Sequence, residues 1–221
     1  MAAVSPDTLP RQLAQYGSLA PVKGLLDAAR KLTGAPEKTP LSARLYAHQL
    51  REAAIILGVK AVGALPEADS AAATAFLLNV VAPRMDADVA ELGISKSQEK
   101  ATLVEMQNAA AEMFHHAELE HKRGGKFVTK GTVEAYMEAA AFMECVLACD
   151  AQEEPHIAAP NLADLKSEAK ARSADIFRCL AGRIPVPPLA TDGEPLGGAQ
   201  AAGGGGGGGG DGGGGRGVGG R

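Results

Sequence analysis

The sequence has no tryptophan, and aromatic residues make up only 4% of its 221 residues. Valine, isoleucine and threonine do not gather into the alternating runs that β-strands require, which argues against a β-rich fold. No apolar run reaches eighteen residues without a charged or polar break, and the N-terminus has no charged segment followed by an apolar core. We therefore expect neither a membrane span nor a secretory signal.

Strong charge and catalytic motifs are also missing. The formal net charge is −4, which is too mild to indicate a protein that binds duplex nucleic acid. The chain has no GxSxG, no phosphate-binding lysine loop, and no GxGxxG between a strand and a helix. We therefore expect neither enzymatic activity nor a cofactor. An RNA-binding role for the C-terminal GGGGRGVGGR has thin support, because its arginines have no aromatic stacking partners.

The sequence contains few cysteines. The three cysteines are Cys145, Cys149 and Cys179, and they form no CxxC motif. The first two lie one helical turn apart within an apolar run, which is typical of reduced cysteines packed in the core of a cytosolic protein. A redox-active pair is the alternative.

Three histidines cluster in FHHAELEHKRGGKF, residues Phe114–Phe127, and they are His115, His116 and His121. The best metal-binding pair is His116 with Glu120, one helical turn apart, but the segment has no HExxH and no third ligand at zinc spacing. Cationic and imidazole groups before two glycines are also favourable at a helix C-terminus. The cluster predicts the solvated end of a helix rather than a metal site.

What the sequence does contain is alanine and helical periodicity. Apolar spacing and glycine or proline breaks predict six helices. Three of them cover about residues 18–32, 40–62 and 69–89, with Pro83 expected to kink or split the third. After the linker LGISKSQEK, a fourth helix ends at Gly124–Gly125, and two more cover about 129–149 and 161–180.

The periodicity also predicts which side chains face inward. In the second helix Thr39 is expected to cap and Pro40 to occupy the first turn. Its expected inner face comprises Leu41, Leu45, His48, Glu52, Ile55, Ile56, Val59 and Val62. The expected inner face of the fifth helix comprises Val133, Tyr136, Met137, Ala140, Met143 and Leu147.

Helices in the order three, linker, three predict an all-α protein with two tandem three-helix bundles. Matches at an offset of ninety residues, such as Tyr46 with Tyr136 and Leu57 with Leu147, agree with two related units. We place the first module at 1–93, the second at 94–184, and a Pro/Gly-rich tail at 185–221. The glycine run in that tail predicts disorder, because glycine buries no side chain and loses most backbone entropy on folding.

Three segments together resemble a known family. They are EKTPLSARLYAHQLREAAIILG, EMFHHAELEHKRGGKFVTKGTVEAYMEAAAFMECVL and EAKARSADIFRCLAGRIPVPP. The matching positions are Arg44, Leu45, Tyr46, Ala47, Met113, Phe114, Gly125, Lys126, Phe127, Tyr136, Lys170, Arg172, Ile176 and Leu180. In order and spacing the segments resemble the Vta / LYST-interacting-protein family of the endosomal ESCRT machinery, from about Leu9 to Pro188.

The resemblance implies two tandem MIT (microtubule-interacting and transport) domains and an adaptor function in multivesicular-body sorting. Its implied partners are the C-terminal helices of ESCRT-III subunits and, through a further C-terminal domain, the ESCRT AAA ATPase. We expect that ATPase-binding domain to be missing from this chain. The implied location is the cytoplasm, with recruitment to endosomes through partners alone. The alternative is a generic helical scaffold with partners outside the ESCRT pathway, although the 34-residue period of TPR repeats is missing.

Partner-binding residues are expected in both modules. In the first, Leu77, Val80 and Val81 would receive the apolar side of a tail helix, and Arg84 would pair with a carboxylate; ordinary core packing is the alternative for the apolar residues. In the second, a basic rim is expected for acidic tails, with a solvated charged face as the alternative; it comprises Lys126, Lys130, Lys170 and Arg172. Ala171 stands where the family often has a tryptophan, which removes an aromatic anchor.

Overall fold

The computed structural model describes residues 5–34, 39–151 and 157–189. Residues 190–221 of the predicted disordered tail lie outside these ranges. Its start was wrongly predicted to be disordered, because Val186 is buried and accepts a hydrogen bond from the N–H of Gly125. Within the described residues the chain is helical and has no strand, which confirms the all-α class. The α-helices are α1 (Ala20–Thr33), α2 (Leu41–Val62), α3 (Glu67–Phe76), α4 (Ala82–Leu92), α5 (Lys96–Arg123), α6 (Lys130–Asp150) and α7 (Leu162–Ala181).

Helix α6 is the centre of the bundle. It packs against α5 on one side and α7 on another, and it also contacts α1 and α2. Helix α2 packs mainly against α1 and also touches α4 and α5. Fully buried side chains from both parts of the chain, including Leu26, Leu50, Met106 and Met143, belong to one continuous core. The predicted module boundary falls between α4 and α5, and residues Met1–Leu189 group into one compact unit.

The ends of α5 and α6 follow from their capping residues. Ser95 accepts a hydrogen bond from the backbone N–H of Gln98 and begins α5. Gly124 ends α5 with a φ of 64°, a left-handed conformation that favours glycine, which confirms the predicted stop. Thr129 caps α6 in a capping box with Thr132.

The start of α2 differs from the expectation. Pro40 occupies the N-cap position, and no side-chain hydrogen bond caps the helix. Its predicted inner face is also partly wrong, because Leu41 and Val59 are exposed. Helix α2 packs against neighbours on several sides, so its small residues Ala47 and Ala53 make buried contacts that a count of large apolar residues misses.

The third predicted helix is interrupted where Pro83 was expected to disturb it. A π-helical turn, Leu77–Val81, joins α3 to α4, and Pro83 lies in the first turn of α4. Proline cannot donate a backbone hydrogen bond, and its ring would clash with the carbonyl of residue 79 in a regular α-helix. The wider turn relieves this conflict.

Candidate functional site

The apolar residues expected in the first groove divide between core and surface. Leu77 and Val81 are buried in the core, and Val80 is half-buried against it. Leu77 lies so close to Gly58 of α2 that a Cβ atom there would approach its Cδ1 to 2.6 Å. Leu78 is the exposed apolar residue of this turn, and the sequence pattern did not single it out.

Arg84 pairs within its own helix. Its guanidinium lies 2.8 Å from Asp88 and 3.8 Å from Glu91. A partner carboxylate would therefore have to compete with two local carboxylates. The three expected apolar residues and Arg84 lie along one stretch of chain, but only Val80 and Arg84 are accessible at its surface.

Beneath Arg84 lies a buried ion-pair network that the sequence did not reveal. Arg51 of α2 is 2% exposed, and it donates to both carboxylate oxygens of Asp7 at 2.7 Å and to Asp88 at 2.6 Å. Burial alone would lower the pKa of Arg51, but the two carboxylates outweigh it and raise the pKa. The network fastens the N-terminal segment and α4 to α2.

His48 lies beside this network and is also buried. Burial lowers its pKa, because the imidazolium would lose its hydration; Asp88 opposes this shift and Arg51 adds to it. Its Nδ1 has no hydrogen-bond partner. The neutral imidazole is therefore the form that the fold accommodates.

The four cationic residues expected to form one basic rim in the second module do not lie together. Lys130 pairs with Glu134 at 3.2 Å, and Lys170 pairs with Glu144 at 2.6 Å. Lys130 and Glu144 are fourteen positions apart on α6, which is about 21 Å along the helix axis. Lys126 lies beyond the start of α6, 5.5 Å from the ring centre of Phe127.

Arg172, the fourth of these residues, is a structural anchor. It is 16% exposed, and its guanidinium lies 5.1 Å from the ring centre of Phe114. It also donates to Glu118 at 3.1 Å and to the Tyr136 hydroxyl at 3.3 Å. Burial alone would raise the pKa of Glu118, but hydrogen bonds from Lys122 and Arg172 lower it overall. Arg172 therefore binds α7 to α5 and α6, and its guanidinium is already engaged in contacts within the protein.

A groove with a mostly apolar lining lies between α1, α6 and α7, near the second expected site. It has a volume of about 420 Å³. Its lining residues are Gly17, Ala20, Pro21, Gly24, Leu25, Met137, Ala140, Ala141, Glu144, Lys170 and Ser173. We call it the α1/α6/α7 groove. Of the expected site residues, only Lys170 lines it.

One exposed large apolar side chain, Met137, lines this groove, and a second, Phe177, lies one helical turn beyond its lining. Met137 is 58% exposed, so its predicted inward orientation is wrong: the core side of α6 at this level is occupied by Tyr136, and the next residue lies about 100° away. Phe177 is 64% exposed and follows Ser173 by four positions, which places it on the same face of α7. The exposed Met137 had no signal in the sequence, because its spacing matches that of core residues.

The histidine cluster is only partly solvated. His115 and His116 are exposed and lie 3.8 Å from Glu118 and 3.6 Å from Glu120, respectively. The prediction is wrong for His121, which is buried with its ring 6.2 Å from that of Tyr136. Burial lowers the pKa of His121, and Arg172 lowers it further. Within residues 5–34, 39–151 and 157–189, no group of three or more His, Cys, Asp or Glu is placed to hold a metal ion.

The cysteines pack as expected. Cys145 and Cys149 are buried and free, and Cys179 is half-buried and free. Burial, with the neighbouring Cys149, raises the pKa of the Cys145 thiol well above its usual value. Such a thiol is unreactive at neutral pH because it is hardly ever a thiolate.

Comparison of the chain with models of known protein families gives no match, and neither does comparison with curated protein sequences. Among the described helices, none is both long enough and apolar enough to cross a membrane.

Proposed function

We propose that the protein is an ESCRT-associated adaptor of multivesicular-body sorting that binds the C-terminal helical tails of ESCRT-III subunits. The observation that carries the binding role is the α1/α6/α7 groove. Glycine and alanine form much of its walls, Met137 is exposed in its lining, and the exposed Phe177 lies one helical turn beyond Ser173 on α7. Small side chains let a helix backbone approach closely, and an amphipathic helix can place its apolar side in such a groove.

The class of partner follows from the sequence resemblance, and one charge in the groove is consistent with it. Lys170 is accessible and pairs with Glu144. An acidic residue of a bound tail would share or replace Glu144 as the partner of Lys170. Because exposed ion pairs are screened by salt, we expect modest and salt-sensitive affinity.

The resemblance also supports a wider role. We propose that the protein acts in the cytoplasm, is recruited to endosomes by its partners, and helps to regulate the ESCRT AAA ATPase. Ala171 is exposed on α7 in place of the family's tryptophan. Phe177 supplies the exposed aromatic side chain of this helix instead, and aromatic residues are the commonest interface anchors.

A fluorescence-anisotropy titration of the full chain with labelled ESCRT-III C-terminal peptides tests the proposal. We expect saturable binding, on the order of micromolar, that Phe177→Asp or Met137→Asp weakens at least tenfold. Val59→Asp on α2 is the matched control, because Val59 is equally exposed and lies outside the groove. Val80→Asp tests the expected site in the first module in the same way.

The pattern of losses assigns the sites. Weakening by Val80→Asp but not by Phe177→Asp would move the binding site to the first module. Absence of binding to every ESCRT-III peptide would refute the adaptor proposal. A pull-down with the intact protein that captures other partners, and loses them with Phe177→Asp, would then support the alternative of a scaffold outside the ESCRT pathway.

A further inference from the structure

A second surface lies at the end of the bundle, away from the lining of the groove. It combines the last turn of α5, the short 3₁₀ turn Gly125–Phe127, and the segment that follows α7. Two large apolar side chains are exposed there: Phe127 at 47% and Ile184 at 61%. We call this surface the basic end and define it by Lys122, Arg123, Lys126, Phe127, Arg183 and Ile184.

Backbone contacts hold the two parts of the basic end side by side. The N–H of Gly125 donates to the carbonyl oxygen of Val186 at 3.1 Å, and the N–H of Leu189 donates to that of His121 at 3.3 Å. Phe127 follows Gly125 by two residues, and Ile184 precedes Val186 by two. The two exposed apolar side chains are therefore carried by neighbouring segments of fixed backbone.

Gly124 makes this close approach possible. A Cβ atom at Gly124 would lie 3.0 Å from the backbone nitrogen of Pro188, and its φ of 64° is one that side-chain-bearing residues rarely adopt. The turn and the exit segment thus pack against each other through backbone atoms.

The charges around these apolar side chains are largely unneutralised. Arg123 and Lys126 lie 5.8 Å and 5.5 Å from the ring centre of Phe127. Within the described part of the chain, neither of them nor Arg183 has a carboxylate within 4.0 Å, whereas Lys122 pairs with Glu118 at 3.1 Å. This positive surface belongs to a chain whose formal net charge is −4, so it is a local concentration of charge.

We infer that the basic end contacts an anionic membrane surface. Apolar side chains that project from a ring of lysine and arginine are suited to the headgroup region of a bilayer, where the apolar groups enter the acyl boundary and the cations lie among anionic headgroups. Phe127 has a ring that can stack on a base, but Ile184, which is more exposed, has neither a ring nor a hydrogen-bonding group, and this favours a lipid surface over RNA. Direct contact would add to the recruitment through partners, and it does not depend on the groove.

Flotation of the full chain with vesicles tests this inference. One set of vesicles is phosphatidylcholine alone, and the other is phosphatidylcholine mixed with phosphatidylserine. We expect binding to the anionic vesicles only, weakened by salt, and a loss of at least about tenfold for Arg123→Glu/Lys126→Glu. Phe127→Ser and Ile184→Ser should each lower the bound fraction while leaving the helical circular dichroism unchanged.

Matched variants separate this surface from the groove. Met137→Ser removes an apolar side chain of similar exposure, and Arg178→Glu reverses a cation that pairs with Asp175; neither should alter vesicle binding. Equal binding to neutral vesicles, or binding that survives the double charge reversal, would overturn the inference. So would binding of RNA or an acidic peptide in place of vesicles. Peptide titrations with the charge-reversed variant report separately on the groove.

Discussion

The two parts of the helical region are each organised around one arginine, and the two arginines are held differently. Arg51 in the first part is 2% exposed and is bound by Asp7 and Asp88. Arg172 in the second part is 16% exposed and is bound by Phe114, Tyr136 and acidic residues. Arg51 is thus buried with its charge balanced by two carboxylates, whereas Arg172 packs against aromatic rings and is partly exposed to solvent.

This difference indicates how each part responds when its arginine is lost. A buried ion pair costs much to desolvate, so removal of one partner leaves an uncompensated charge in the core. A partly exposed guanidinium over aromatic rings has weaker contacts, and the acidic residues that it leaves behind can be hydrated. We therefore expect loss of the arginine charge to lower stability strongly in the first part and only weakly in the second.

The largest effect is expected for Arg51→Met. It leaves Asp7 with no cation and Asp88 with Arg84 alone, so we expect the free energy of unfolding to fall by about 3–5 kcal/mol. Urea denaturation measures this loss. Arg44→Met on the same helix removes a surface pair with Glu91 and should cost less than about 1 kcal/mol. A loss of less than about 1 kcal/mol for Arg51→Met would contradict a stabilising role for the buried ion-pair network.

A smaller effect is expected for Arg172→Met. The change removes the contact with the Phe114 ring and the hydrogen bond to Tyr136, so we expect a loss of about 1–2 kcal/mol in the same urea assay. Glu118 keeps its ion pair with Lys122, which limits the cost. If Arg172→Met destabilises the protein as much as Arg51→Met does, the contrast between the two parts fails.

Each part also contains one buried histidine, and both should make stability depend on pH. Burial lowers the pKa of His48 and of His121 below the ordinary value of 6.5. The unfolded chain therefore binds more protons than the folded protein just below pH 6.5, so stability is complete above that pH and is lost as the pH falls through it. The slope should not exceed about 1.4 kcal/mol per pH unit for each histidine.

Urea titrations over a series of pH values test this dependence. His48→Gln and His121→Gln should each make the profile below pH 6.5 flatter. A profile that stays equally steep when both buried histidines are replaced would show that other groups cause it.

The smallest effect concerns helix caps. The N-cap residues of α1 to α4 and of α7 make no side-chain capping hydrogen bond, whereas Ser95 caps α5 and Thr129 caps α6. Thr129→Ala should lower the unfolding free energy by about 1 kcal/mol. Thr74→Ala, at an exposed position within α3, should cost nothing measurable or be slightly stabilising. Equal effects of the two changes would show that the capping box contributes little.

Local signals in the sequence predicted the helices well. Helix α5 ends at Gly124, and Pro83 lies where one predicted helix divides into α3 and α4. Both positions were predicted from the backbone properties of glycine and proline. Burial was harder to predict. Arg51 and His121 are buried because partners from distant segments surround them, and no local pattern indicates such partners.

The candidate groove could be predicted only in part, because α1 forms one of its walls. Gly24 belongs to the first part of the chain, yet it lines the same groove as Lys170. Expectations confined to each module could not place them together. Met137 was expected inside because its spacing fits a core position, but it lies in the lining of the groove and is 58% exposed.

The π-helical turn before Pro83 has a consequence for the rotational phase of α4. A π turn holds one residue more than the α-helical turn it replaces, and one residue corresponds to about 100° of rotation. That offset turns Asp88 and Arg84 toward α2, where Arg51 lies. Deleting a single residue from Leu77–Val81 would rotate the following helix and carry its buried carboxylate away from the core. The turn therefore sets the rotation of α4 about its own axis. A change in the length of this turn should disturb the position of Asp88 more than a change in one of its side chains.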